Sequence, residues 1–460
     1  MSTRVTPGVQ VRVVKEIVPQ QLYPAGVVGM IGTSQDGPIL KPQTVTSYRE
    51  LVEIFGPEEH GFTLQKEAKQ AFLNGVFQVV ATRIGGASSS PPSLELKQFK
   101  RNQGIVKLTA KEPGTLGNRI QVVVMKSPAI EGGVRIEITD SRKNNEVYEG
   151  NLVKADEANY IVDQINKNSK IVIAETLISE TGPDNVLKPF EGTLEGGTFE
   201  QPTDSDYERA LELLELERTI DVVHVCDNWN PKIHALVDAH CQNMRLGKEP
   251  KPLGPRIGIG TVSPGESIED ILKRSEVLAS DRFILSAPYG VAGALSGLIS
   301  KLNYFESPTF KPLTGIADIE RRYTPSEQMK LITNGALVVD AVRGRGIIAV
   351  KGITTSKEQI SVMRISDRAV RGIDNISQLF IGTLNNSSGR MALKERIREY
   401  LASMEKEGSL VPSTDNTQPA YVIDVFSTQI DFAQGIVRVD VAVRPVRAMD
   451  YIYATITVTM

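Results

Sequence analysis

The chain has 460 residues, of which 40% are hydrophobic and 23% charged, and its 52 basic and 55 acidic side chains give a formal net charge of -3. This length allows several domains, and the composition excludes disordered and collagen-like proteins. Because no net field favours nucleic acid or anionic lipid, we expect neither as a partner.

The chain carries no sequence signal for export or membrane insertion. Cys226 and Cys241 are too few for a disulfide scaffold, which favours a reducing compartment. The amino terminus lacks the apolar core of a signal peptide, and no apolar run reaches about 18 residues. We therefore expect a protein made in the cytoplasm, without direct membrane insertion.

The first 90 residues contain an arm and a small α/β region. In residues 1–25, apolar and polar side chains alternate from Val9 to Val13, which predicts a short strand. Residues 26–90 are typical of an α/β region. Its predicted elements are an apolar segment at Gly26–Gly32, helices at Tyr48–Phe55 and Leu64–Leu73, and a buried strand at Val76–Arg83.

A stretch of small residues and proline, Gly85–Pro92, predicts a domain boundary. Residues 91–195 then carry short alternating runs separated by turns, which predicts a β-sandwich domain. The predicted strands lie at Val106–Ala110, Ile120–Lys126, Val134–Thr139 and Lys170–Ala174.

Helical and buried strand patterns alternate in residues 196–345, which predicts a doubly wound α/β domain. Its elements include helices at Tyr207–Leu216 and Pro231–Leu246 and a strand at Ile220–Cys226. A fourth region, 346–447, begins with a strand at Ile347–Lys351 and continues with helices around Ser361–Phe380 and Met391–Met404.

No motif for catalysis, a cofactor or a metal emerges from the sequence. The histidines and cysteines form no tight ligand pair, and glycine-rich phosphate loops lack the required spacing. The nearest approach to a nucleophile elbow, Gly293–Gly297, is more typical of a closely packed helix. The four histidines are His60, His224, His234 and His240.

Alternating strands mark both ends of the chain. Valines alternate with polar residues or alanine from Val437 to Val443, and the terminal arm, 448–460, continues with Ile452, Ile456 and Val458 on one face. Two interpretations are open. The terminal strands close a sheet within their own subunit, or they add to a neighbouring chain.

In motif order and spacing, nearly the whole chain resembles the contractile tail sheath proteins of myophages, phage-tail-like bacteriocins and extracellular injection systems. The motifs that carry this resemblance are Pro7-Gly8-Val9, Gly26-Val27-Val28-Gly29, Gly37-Pro38, Asn74-Gly75 through Arg83, Pro113–Asn118, Glu195–Thr198, Gly346–Thr355, Asn385–Leu410 and Gln434–Val458.

The resemblance implies an α/β multidomain protein. Its core domain would combine the amino-terminal region with the carboxy-terminal third, and the β-sandwich and a subtilisin-like α/β domain without a catalytic triad would be inserted as outer domains. Strand-forming arms would link the chain to its neighbours. The residues expected in the intersubunit strands are Val9, Val11, Val13, Ile452, Ile456 and Val458.

The resemblance also implies a function and partners. The chain would be made in the bacterial cytoplasm and form six-subunit rings stacked into a helical sleeve around an inner tube, with baseplate and tail terminator proteins as further partners. It would not be an enzyme. The helix at Met391–Met404 is either an ordinary surface helix or a tube contact, with Lys394, Arg396 and Arg398 as candidates. An α/β hydrolase with an unrecognised site and a non-contractile capsid or tube component remain as alternatives.

Overall fold

The computed structural model describes residues 26–86, 88–130, 132–153, 158–178, 185–246 and 254–453. Its strands are β1 (Val27–Thr33), β2 (Gln43–Val45), β3 (Gln78–Ile84), β4 (Ser93–Lys97), β5 (Gly104–Ala110), β6 (Gln121–Lys126), β7 (Val134–Thr139), β8 (Asn145–Gly150), β9 (Val172–Thr176), β10 (Phe190–Thr193), β11 (Val222–Val225), β12 (Ile257–Thr261), β13 (Phe283–Ala287), β14 (Ala336–Val342), β15 (Gly346–Ala349), β16 (Tyr421–Phe426) and β17 (Arg438–Val443). Its α-helices are α1 (Tyr48–Phe55), α2 (Leu64–Leu73), α3 (Ile161–Asn168), α4 (Asp204–Leu214), α5 (Pro231–Leu246), α6 (Ile268–Leu278), α7 (Ala292–Lys301), α8 (Pro325–Thr333), α9 (Ile360–Gln378), α10 (Ser387–Lys406) and α11 (Gln429–Ala433).

The largest sheet has eight strands in the order β15-β14-β13-β12-β11-β1-β3-β2. All pairs are parallel except the two edge pairs, β15 with β14 and β2 with β3. Helices α1, α2 and α7 cover one face, and α4, α5, α6 and α8 contribute to the core on the other. The sheet is therefore doubly wound, and the strand order reverses beside β1.

The grouping of the amino-terminal region with the carboxy-terminal third was wrong. All seven residues of β1 are buried, so this strand needs a neighbour at each edge. Val28 lies opposite Val79 of β3 on one side and Val222 of β11 on the other. The first α/β region and residues 196–345 thus form one sheet. The strand β15, which the predicted boundary at 345 and 346 separates from this sheet, pairs with β14.

The insert between β3 and α4 contains two antiparallel sheets, β4-β5-β9 and β10-β6-β7-β8. Alternating side chains of β7 are buried, as the sequence predicted. Leu108 of the first sheet, Ile136 of the second and Ile165 of α3 belong to one hydrophobic cluster. The insert therefore has a core of its own.

Two of the sequence motifs meet where the insert joins the main sheet. The chain enters and leaves the insert side by side, because Ser90 and Thr198 exchange backbone hydrogen bonds. Asn118 accepts from the Gly197 amide at 2.9 Å and donates to its carbonyl at 3.1 Å. At Gly114, φ is 138°, and a Cβ atom would lie 2.3 Å from the Gln35 carbonyl oxygen. Only glycine fits this joint.

The carboxy-terminal unit contains α9, α10 and an antiparallel hairpin formed by β16 and β17. Alternate residues of both strands, including Ile423 and Val441, pack against a cluster that contains Ile365 of α9 and Ile397 of α10. This helical support stabilises the hairpin, because two isolated strands are at best marginally stable.

A buried histidine and glutamate pair joins the main sheet to α2. His224 Nε2 lies 2.7 Å from Glu67 Oε2, and Nδ1 lies 3.1 Å from the Ile259 carbonyl oxygen. Burial alone lowers the pKa of His224, but the hydrogen bond and negative charge of Glu67 outweigh this effect and raise it. The charged form of His224 is therefore favoured in the folded protein.

This pair predicts a pH-dependent stability. Because the folded pKa of His224 lies above its unfolded value of about 6.5, the contribution is complete below that value and is lost as pH rises through the folded pKa. Glu67→Gln should reduce the free energy of unfolding by about 1–3 kcal/mol at low pH and flatten its pH dependence.

Unfolding by urea at several pH values between about 6 and 9 measures this difference. The exposed carboxylate Glu58, which pairs with Lys69 at the surface, provides the control variant Glu58→Gln. This control should change little. Parallel pH profiles for wild type and Glu67→Gln would show that the pair is not ionic.

Candidate functional site

The hairpin of β16 and β17 presents two free strand edges. Its sheet contains only these two strands in the described part of the chain. The inner face is packed, whereas Val422, Asp424 and Asp440 on the outer face are exposed. Free edges carry unpaired amide and carbonyl groups and can accept additional strands. The hairpin is thus suited to strand addition at either edge.

Most of the predicted intersubunit strand residues lie outside the described residues: Val9, Val11, Val13, Ile456 and Val458. Ile452 is described, lies in no strand, and is 82% exposed. The pairing of these residues stays a prediction. By contrast, the predicted run from Val437 to Val443 is confirmed as strand β17, paired within the subunit.

The predicted apolar face of α10 is confirmed, because Leu393, Ile397, Leu401 and Met404 are buried. The three candidate basic residues each form an ion pair within the chain. Lys394 pairs with Asp424 at 3.4 Å, Arg396 with Glu399 at 2.9 Å, and Arg398 with Glu395 at 2.9 Å. Such pairs near the surface are weak and exchange partners readily. A tube contact by these residues stays a prediction.

One end of the carboxy-terminal unit exposes apolar side chains from two loops. The turn between α9 and α10 contributes Ile381 and Leu384, and the connection between β16 and β17 contributes Ile430 and Phe432. Asn385 links the loops by donating to Ser427 at 3.3 Å and to the Ile436 carbonyl at 3.4 Å. This apolar tip, Ile381, Leu384, Ile430 and Phe432, is typical of a contact surface.

The carboxy-terminal unit is fixed to the main sheet by a partly buried ion pair at the amino ends of the central strands. Asp221 accepts hydrogen bonds from the amides of Gly26 at 2.8 Å and Val27 at 3.3 Å, and from Arg371 of α9 at 2.6 Å. Arg371 also donates to the carbonyls of Ile220 at 2.6 Å and Pro255 at 2.5 Å. We call Gly26, Asp221 and Arg371 the Asp221 junction.

Two further contacts of α9 reinforce the junction. Arg364 donates to the carbonyls of Leu302 and Asn303 at 2.9 and 3.1 Å, and burial lowers its pKa. Asp367 accepts from Arg282 at 2.5 Å. These contacts were not predicted from the sequence. A usable signal was present, since Arg364, Asp367 and Arg371 have the spacing of one helical face.

His234 and both cysteines are buried within the fold. Burial lowers the pKa of His234 to about 4, and its Nε2 lies 3.0 Å from the Asn228 carbonyl oxygen. Cys226 and Cys241 are buried, and burial raises the pKa of Cys241 to about 12. Among the described residues, no group of three or more His, Cys, Asp or Glu side chains could hold a metal ion.

The small residues of the Gly293–Gly297 segment have a structural explanation. The segment lies in α7, where a Cβ on Gly297 would be 2.3 Å from the Ala71 carbonyl oxygen. Close packing of α7 against α2 therefore explains its small residues.

None of the described helices is long and apolar enough to cross a membrane.

Solved structures of tail sheath proteins share this fold. A sheath tail protein from Listeria innocua is similar with a TM-score of 0.68 and 15% identity, over 92% of each chain. The helical sheath protein of the anti-feeding prophage, in its contracted state, is similar with a TM-score of 0.57 and 13% identity, over 98% of this chain and 99% of that one. The fold is therefore that of contractile sheath proteins.

Sequence comparison points in the same direction for the middle of the chain. Residues 200–355 match the family model described as the phage tail sheath protein central domain. The tail sheath protein of Staphylococcus phage Twort is 26% identical over 261 residues, which cover 51% of this chain and 43% of the phage protein. The chain thus spans less than half the length of this relative. Residues 200–355 are therefore similar to the central domain of phage tail sheath proteins.

The Asp221 junction makes a testable prediction for stability. Arg371→Met should lower the free energy of unfolding by about 1–3 kcal/mol, because it leaves the partly buried Asp221 carboxylate without its cation. The matched control is Arg368→Met, one turn earlier, where the guanidinium contacts the Tyr304 ring at 5.7 Å instead of a carboxylate. That change should cost about 1 kcal/mol or less. Equal losses in urea unfolding would contradict the role of the junction.

Proposed function

We propose that this chain is the structural subunit of a contractile tail sheath, which polymerises helically around an inner tube and contracts to drive the tube through a target envelope. The observation that carries the proposal is the tail sheath central domain at residues 200–355. The similarity to a contracted helical sheath over 98% of the chain supports it at the level of the fold. Nothing in these comparisons favours a hydrolase.

The finer domain assignments belong to this proposal. The two antiparallel sheets of the insert share one hydrophobic cluster, which supports a β-sandwich. The doubly wound sheet supports a subtilisin-like topology for residues 196–345, although its neighbouring strands β1 and β3 come from the first region.

Assembly would use the free edges of the hairpin of β16 and β17. The alternating segments at Val9–Val13 and Ile452–Val458 each provide one apolar row and a backbone that can extend a sheet. If neighbours donate these segments head to tail, the contacts do not close, which is the requirement for a helical polymer. Stacked six-subunit rings linked in this way would stay connected when subunits rotate during contraction.

The expected partners are the inner tube, the baseplate and the tail terminator. The charged side of α10 is the candidate for the tube contact because its basic residues alternate with acidic ones near the surface. Complementary charge on the tube would fix the register of the two polymers more than it would add affinity. The apolar tip is available for a contact with a neighbouring subunit.

Electron microscopy of the purified full chain tests the proposal, because a sheath protein should form striated sleeves or contracted tubes. Deletion of residues 1–18 should leave a folded chain that no longer forms sleeves, since the described core is untouched while one donated strand is lost. Circular dichroism and sedimentation measure folding and assembly. Sleeves of normal length from this truncation would contradict strand donation, and the absence of any polymer from the full chain would count against the sheath itself.

A double charge reversal tests the tube contact. Lys394→Glu with Arg398→Glu should reduce co-sedimentation of sleeves with the tube protein by about tenfold or more, while sleeves still form. The control reverses Lys273 and Lys330, which are exposed on α6 and α8 of the main sheet, and changes the net charge equally. Equal tube binding by both double variants would remove α10 from the contact.

A further inference from the structure

A cavity of about 360 Å³ lies between the amino ends of the central strands and α9. Its apolar lining comes from Phe77, Leu302, Tyr304 and Phe305, and its charged lining includes Arg368 and Arg371. The rings of Tyr304 and Phe305 meet edge to face at 5.2 Å. An aromatic wall with guanidinium groups beside it suits an apolar or aromatic peptide segment.

The chain itself enters the main sheet at this cavity. Gly26, which lines the cavity, is held in place by the hydrogen bond from its amide to Asp221 at 2.8 Å. The four residues before it are Leu22, Tyr23, Pro24 and Ala25, which are uncharged. Tyr23 is three residues from Gly26, so it can lie at most about 10 Å away along the chain.

We propose that residues 22–25 of the same chain occupy this cavity, with the Tyr23 ring packed among the aromatic and guanidinium groups. Proline at position 24 restricts the backbone and so reduces the entropy lost on docking. The arm before residue 22 would then leave the subunit from a fixed point beside the Asp221 junction. This inference concerns the single subunit and does not depend on the proposed function.

Two truncations of the chain test the proposal. Deletion of residues 1–21 keeps the docking segment, whereas deletion of residues 1–25 removes it. Hydrogen exchange is measured at a protein concentration where both truncated chains are monomeric. The exchange rate of residues 302–305 should equal that of the full chain after deletion of residues 1–21. After deletion of residues 1–25 it should be about tenfold faster, as expected when one large side chain no longer covers these residues.

Point variants of the full chain keep the test valid if the longer truncation does not fold. Tyr23→Ala should accelerate exchange at residues 302–305, whereas Val18→Ala, before the docking segment, should not. Identical exchange in Tyr23→Ala and wild type would overturn the proposal. Protection that fades on dilution of the full chain would also overturn it, because a second copy would then be the occupant.

Discussion

The ion pair between Asp221 and Arg371 is the constraint on which the arrangement of the molecule depends. Asp221 accepts hydrogen bonds from the amides of Gly26 and Val27 at the start of β1, and it directly precedes β11. The strand order of the main sheet reverses at these two strands. Arg371 adds the carbonyls of Ile220 and Pro255. Each charge is costly to bury alone, and each is stabilised by the other together with these backbone hydrogen bonds. The sheet centre and α9 are therefore held together cooperatively.

The rest of the chain divides into parts that are packed within the subunit and parts whose surfaces remain open to other chains. The main sheet is covered on both faces, whereas the insert is joined by two adjacent backbone connections and by polar contacts such as that from Arg142 to the Ile54 carbonyl at 3.2 Å. The hairpin keeps both edges free in the described chain. In the proposed sheath, this division would let subunits rotate as bodies while their outer connections persist.

Local structure was largely predictable from the sequence. The helices at Tyr48–Phe55 and Leu64–Leu73 have the predicted bounds because an apolar face at helical spacing determines them. The strand at Val134–Thr139 was equally clear from its alternation. These predictions, each of which depends on one repeating pattern within a described segment, were confirmed.

Strand order and the buried polar contacts were not predictable in the same way. Periodicity shows that β1 is buried but not that β11, almost 200 residues later, is its neighbour. The motif residues Asn118 and Gly197 gave no sign that they bind each other. Arg371 on a predicted helix gave no sign of its partner, because nothing local distinguishes a solvated arginine from one that binds a distant carboxylate.

A structure of the polymer formed by the full chain, determined by electron cryo-microscopy, tests the central claim most directly. The account predicts a hairpin of β16 and β17 extended at both edges by strands from neighbouring subunits, contributed by residues 9–13 and 452–458. It also predicts that the contacts among Gly26, Asp221 and Arg371 are retained in every subunit. A two-stranded hairpin, with both terminal segments paired only within their own subunit, would contradict it.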